Sequence, residues 1–150
     1  MLSYLIMSFL LYISKFYHNN KIKSITYLNA FIIGVAQCIA IIPGFSRSGF
    51  TIIAALLLGI NFKNSLKFSF MIATPILFFA GIDIFINNFN VFFSNPDLVV
   101  SLFVGMFTSI VSGYYVLAIL EKIVLENKFW YFSFYCLMMS ILLLIFNYGN

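Results

Sequence analysis

The stretch Pro43-Gly44-Phe45-Ser46-Arg47-Ser48-Gly49-Phe50-Thr51 holds the sole arginine of a 150-residue chain and sets it among three hydroxyls and two glycines. Pro43 lacks an N–H and disfavours helical geometry at Ile42, so a helix arriving from the amino-terminal side ends there. Gly44 and Gly49 permit a tight turn whose backbone lies close to whatever occupies it. Ser48 or Gly49 can cap a helix beginning near Phe50, whose free N–H groups then point back into the turn. A guanidinium fork, hydroxyl donors and a helix N-terminus together suit a phosphate. Arg47 would neutralise and orient a diphosphate and stabilise charge on equatorial oxygens during transfer, while Ser46, Ser48 and Thr51 donate hydrogen bonds. Arg47 and Ser46 are therefore the catalytic candidates, although a serine nucleophile needs a base and none is adjacent. The plainer alternative is that Arg47 anchors a hairpin tip at lipid headgroups while the serines cap turns.

The elements that carry this island are apolar. Hydrophobic residues make up 63% of the chain and charged residues 8%, against roughly 25% charged in soluble domains. An ordinary water-soluble domain is excluded. Apolar runs occupy 2–16, 25–42, 50–60, 68–86, 98–120 and 129–146. A membrane-crossing helix needs about 20 residues, and the last three runs, with 25–42 narrowly, reach that range. Run 50–60 would be a helix of about 16 Å, half of a hydrocarbon core roughly 30 Å thick. Residues 25–60 are thus expected to form a re-entrant helix-turn-helix hairpin. The whole is expected to be an all-α polytopic membrane protein in one domain, 1–150, with four transmembrane helices plus that hairpin.

The lysines agree with this layout, because short cytoplasmic loops hold the excess of basic residues. With the first run crossing inward, Lys15, Lys21, Lys23, Lys63, Lys67, Lys122 and Lys128 all fall inside, and the outer gap 87–97 holds no base. A full excursion across the membrane would return to the same side as a hairpin; length favours the hairpin. The first run lacks a signal-peptide pattern and is expected to be retained. Being short, it also looks like a chain that starts in the middle of a span.

Scattered lysines argue against nucleic-acid binding. Cys38 and Cys136, each inside an apolar run, read as small hydrophobes rather than as a disulfide or zinc site. Gln37 is a second-shell candidate whose amide either meets a ligand or bonds a neighbouring helix. Asp83 fits solvation at the outer interface and His18 a solvated loop. Gly105, Ser109 and Gly113 recur every fourth residue, the spacing of close helix packing. Pro75 is expected to bend its helix, relieved by Ser69, Thr74 or neighbouring helices. Trp130 and Tyr131 suit headgroup level.

The stretch from Gly34-Val35-Ala36-Gln37-Cys38 through Pro43-Gly44-Phe45-Ser46-Arg47-Ser48-Gly49, followed by Thr51-Ile52 and Leu58-Gly59, resembles the second signature of the bacterial undecaprenyl-diphosphatase family, the bacitracin-resistance phosphatases. Phe68-Ser69-Phe70-Met71-Ile72-Ala73-Thr74-Pro75 is similar to the family's next helix. The resemblance covers nearly the whole chain as the carboxy-terminal half of the family. It implies one of two inverted repeats with its re-entrant hairpin and a flanking helix, in a multi-pass bacterial plasma-membrane enzyme that releases inorganic phosphate from undecaprenyl diphosphate to recycle the carrier for peptidoglycan synthesis. In that pattern Arg47 binds phosphate, with Gly44, Ser46, Ser48, Gly49 and Thr51 around the same pocket.

The family's amino-terminal half brings a glutamate-rich motif and a serine and histidine loop, which imply a divalent cation, Mg or Ca, for the full-length enzyme. This chain by itself is expected to hold no metal or other cofactor. Lys67 and Cys136 stand where the family tends to have glutamate and arginine. The implied partners are the bilayer, a polyprenyl diphosphate, and either a separately encoded amino-terminal half or further copies of the chain. The alternatives are a truncated inactive fragment, or a membrane protein that binds or transports a lipid phosphate without hydrolysis. Negligible phosphate release is expected from the purified chain on a polyprenyl diphosphate; turnover of ordinary magnitude in a phosphate-release assay would overturn that expectation.

Overall fold

A computed structural model describes residues 2–17, 22, 24–89, 91, 96–126 and 128–148. Among them the main elements are helices α1 (Leu2–Ile13), α2 (Tyr27–Ile39), α3 (Arg47–Leu57), α4 (Phe62–Asn87), α5 (Pro96–Leu125) and α6 (Phe132–Tyr148), with 3-10 turns at Ser14–Tyr17 and Phe129–Tyr131. Among these residues there is no β-sheet, only an isolated bridge between Ile22 and Ile60.

Side-chain caps set three of the helix starts. Thr26 Oγ1 accepts from the amide of Asn29 at 3.2 Å, and Asn61 Oδ1 accepts from Asn64 at 2.9 Å. Each satisfies one of the amides that a helix N-terminus leaves unpaired. The Asn61 cap draws Lys63 and Lys67 into α4, which therefore begins before the apolar run at 68. At the other end of the hairpin, run 25–42 yields a helix of only 13 residues, about 20 Å at 1.5 Å per residue. Its apolar length came close to a span, yet the helix stops at Ile39, before the proline.

The core joins α1, α3, α4, the end of α5 and α6. Met7, Leu11, Ile52, Leu56, Val124, Phe129 and Cys136 meet in one buried cluster, to which Phe62 and Leu66 of α4 add. Ser8 Oγ donates to the carbonyl of Ser133 at 2.9 Å and ties α1 to α6. Behind the hairpin, Ile33, Ala55 and Ile60 form a second cluster.

The helix ends gather at one end of the bundle. Phe62, at the start of α4, stacks edge-on with Phe129 at 6.4 Å, and Lys15 Nζ lies 4.8 Å from the centroid of Trp130. The Lys15, Lys63 and Lys128 segments therefore share one end, as the lysine count expects. Lys128 also bonds Glu126 at 2.7 Å and holds that carboxyl below its usual range. Both groups are exposed, so the pair adds little to stability.

Two helices, Phe62–Asn87 and Asp97–Leu125, are long and apolar enough to cross a membrane. The best apolar stretch of the first is 6% buried and that of the second 0%. Lipid or another polypeptide must cover them, which is consistent with a polytopic membrane protein. The packing expected at Gly105 and Gly113 is not made within the described residues, since a methyl group at either would meet nothing within 4 Å. Pro75 lies inside α4, where Thr74 Oγ1 donates to the carbonyl of Phe70 at 2.8 Å.

Leu56 is fully buried between α3, α1 and α4. Leu56→Ala is expected to destabilise the fold by about 2–5 kcal/mol through the cavity it leaves, measured as earlier unfolding in a detergent titration.

Candidate functional site

The turn between α2 and α3 is a series of tight hydrogen bonds. Ile41 N donates to Cys38 O at 3.3 Å, Ile42 N to Ile39 O at 3.2 Å and Phe45 N to Ile42 O at 3.2 Å. Gly44 then takes φ +96°, a conformation that side-chain-bearing residues rarely adopt. Ser46 follows in extended geometry, and its Oγ accepts from Gly49 N at 3.2 Å.

This cap differs from the expected one. Ser46, rather than Ser48 or Gly49, begins the helix, so α3 opens with Arg47 and Ser48. The reason is local: a serine three residues before a glycine amide can satisfy that amide at once. Phe50 N donates to Ser46 O at 2.8 Å and Gly49 N is capped. The amides of Arg47 and Ser48 are left as the unpaired donors of the first turn.

The three hydroxyls divide into two kinds. Thr51 is 1% exposed; its Oγ1 lies 3.0 Å from Arg47 O, 3.1 Å from Ser48 O and in hydrogen-bond contact with Ser69 Oγ of α4. It is committed to the frame of the turn. Ser46 is exposed and Ser48 half-buried, and both line a cavity. Arg47 is half-buried, and among the described residues no carboxylate comes within 4.0 Å of it.

The glycines report a close neighbour. A methyl group on Gly44 would sit 2.9 Å from Ser3 Cβ, and one on Gly49 would sit 2.5 Å from Met7 Cε. The occupant that needs the bare backbone is α1. Between α1, the turn, α5 and α6 lies a cavity of about 490 Å³. Gly44, Ser46, Ser48 and Gly49 form its polar end with Tyr4, while Ile119, Phe132 and their neighbours make an apolar wall. Arg47 and Thr51 are not among the residues that line it.

Gln37 is buried on the far side of the hairpin. Its Nε2 donates to Ile72 O at 3.4 Å, and its Oε1 has no partner among the described residues. The interhelical bond is the use the structure shows. Asp83 is exposed and accepts from Asn87 Nδ2 at 3.1 Å. Cys38 is exposed, Lys67 is exposed in the second turn of α4, and Cys136 is buried in the cavity wall. His18 lies outside the described residues. Among those described, no three His, Cys, Asp or Glu side chains cluster.

Sequence reasoning missed the contribution of Ser69 to the turn, having read it only as relief for Pro75. A signal existed: Ser65 and Ser69, four residues apart in an apolar run, put two hydroxyls on one helix face. Tyr4 and Met7 carried no such signal.

A family profile described as Bacitracin resistance protein BacA matches residues 1–142. The chain belongs to the BacA family. Undecaprenyl-diphosphatase of Geotalea daltonii is 43% identical over 131 residues, covering 86% of this chain and 48% of that protein. Undecaprenyl-diphosphatase of Halothermothrix orenii is 35% identical over 143 residues, covering 94% and 55%, and that of Methanococcus maripaludis 38% identical over 125 residues, covering 83% and 47%. This BacA chain thus spans about half the length of the curated relatives it matches. No solved structure matches it.

Gly44→Ala in this BacA chain is expected to cost about 1–3 kcal/mol, from backbone strain at positive φ together with the clash against α1. Gly34→Ala, at a position with nothing within 4 Å, is the control, and both are read as the unfolding midpoint in detergent.

Proposed function

We propose that this chain is the phosphate-gripping part of an undecaprenyl-diphosphatase: it binds a polyprenyl diphosphate in the membrane but does not hydrolyse it unaided. The observation that carries this reading is an arginine without a carboxylate partner, set at a helix N-terminus whose first amides and adjoining serine hydroxyls are open. Such a constellation favours an anion with several oxygens. The apolar wall beside the serines suits the hydrocarbon of the same lipid.

Depth supports a re-entrant hairpin. Gly44 lies against Ser3 and Tyr4, while Lys15 marks the basic end of the bundle. From Ser3 to Lys15 the chain rises about 18 Å, near the middle of a core roughly 30 Å thick. A diphosphate held there would reach Arg47 with its prenyl chain still in lipid. The spans are then α4, α5 and α6, with α1 running from the basic end to about mid-core and residues 25–60 entering and leaving on the cytoplasmic side.

Hydrolysis to undecaprenyl phosphate and inorganic phosphate needs a nucleophile, a base for its proton and neutralisation of the leaving phosphate. Arg47 supplies the last. Among the described residues, no carboxylate or imidazole lines the cavity beside Ser46 to supply the second. Those groups, and any cation they hold, come from outside residues 1–150, completing the site in a bacterial plasma membrane.

The test uses the chain in phosphatidylcholine vesicles with farnesyl diphosphate as probe. Arg47→Ala is expected to weaken binding about 10-fold or more, the loss of charge-assisted hydrogen bonds. Equal affinity in parent and variant, or no saturable binding by the parent, would overturn the reading.

A further inference from the structure

We infer that Ser69 of α4 is a positioning residue for the anion site, acting through Thr51 to hold the first turn of α3 in its gripping geometry. The inference deepens the reading above and rests on it for its ligand.

The two side chains come from different helices and are 1% and 2% exposed. Each hydroxyl has one proton, and the acceptors in reach are unequal. Thr51 Oγ1 faces two carbonyls, Arg47 O at 3.0 Å and Ser48 O at 3.1 Å. Ser69 Oγ has Thr51 Oγ1 in close contact and Ser48 O only at 3.5 Å. The assignment that fills most sites has Thr51 donating to the backbone of the turn and Ser69 donating to Thr51. Ser69 is thus the outer end of a relay that terminates on the peptide groups of Arg47 and Ser48.

The geometry has a consequence for the amides. Carbonyls of Arg47 and Ser48 fixed from below set the planes of the first-turn peptides, so the amides of Ser48 and Gly49 point in a fixed direction. A Thr51 hydroxyl alone bonds back within α3, as threonines in helices commonly do. It cannot by itself fix where that turn sits relative to α4. Ser69 supplies the fixed point, because α4 is anchored at Phe62 and Leu66 in the main core.

An internal control is present in the same helix. Ser65 is 0% exposed, and its Oγ donates to Asn61 O at 2.9 Å, inside the first turn of α4. Removing that hydroxyl perturbs α4 without touching the turn. Ser69→Ala in the vesicle-reconstituted chain is expected to weaken farnesyl diphosphate binding about 2- to 12-fold, the range that one hydrogen bond's net contribution corresponds to. Ser65→Ala is expected to leave that affinity unchanged. Thr51→Ser, which keeps the hydroxyl, is expected to bind as the parent does, whereas Thr51→Val and Ser69→Ala should combine to less than the product of their separate effects.

Amide hydrogen exchange supplies a readout that needs no ligand: Ser69→Ala should speed exchange at Gly49 and Phe50, whose amides bond to Ser46, and Ser65→Ala should not. Equal affinities for Ser69→Ala and the parent in a preparation where Arg47→Ala binds weakly would overturn the inference alone. Unchanged exchange at Gly49 and Phe50 in Ser69→Ala, or the same loss of affinity in Ser65→Ala, would also overturn it. Equal binding by Arg47→Ala and the parent would overturn the anion reading instead, with exchange then deciding the relay.

Discussion

A guanidinium without a carboxylate, inside a chain with 8% charged residues, is the constraint around which the hairpin is organised. Charge in the hydrocarbon region is costly unless an anion, water or the surface takes it up. The fold keeps Arg47 at a helix start, where the dipole already favours negative charge. The same dipole is unfavourable to the cation itself, so the site in the absence of an anion is electrostatically frustrated on both counts. In the proposed reading an anion resolves both at once, and that coupling joins the arginine and the first-turn amides in one site.

The surroundings of the turn are built to keep it narrow. On one side α1 passes so close that Gly44 has no room for a side chain and Met7 of α1 lies against Gly49; on the other, α4 reaches in with the Ser69 hydroxyl. Neither neighbour is adjacent in sequence. The turn is therefore held by tertiary contact more than by propensity, as expected for helices of 13 and 11 residues that would be marginal alone.

The all-α class and the lysine-rich end were legible because composition and charge patterning act over whole segments. The signature turn was legible because Pro43, Gly44 and Gly49 are local punctuation. The helix start at Ser46 was not, since Ser46 and Ser48 are equivalent as caps until the glycine amide that donates to one of them is located in space. Thr51 was grouped with Ser46 and Ser48 by chemistry, yet helical periodicity turns it to the inner face where Ser69 waits. The glycines were read as leaving room for a ligand, and the structure gives that room to α1. Half-length coverage of the relatives matches the near-total exposure of α5, which no pattern of residues in α5 itself could reveal.

Ser8 and Ser133, which lock the first helix to the last, are separated by 125 residues. A chain emerging from a ribosome has its first helix in the bilayer long before the mate for that helix exists. Since the signature loop leans on that first helix, its final shape is reached only once the carboxy-terminal segment has been delivered. Contacts of such long range make assembly slow and leave intermediates with exposed interfaces. The turn thus takes its final shape only after a segment made 125 residues later than its neighbour has docked.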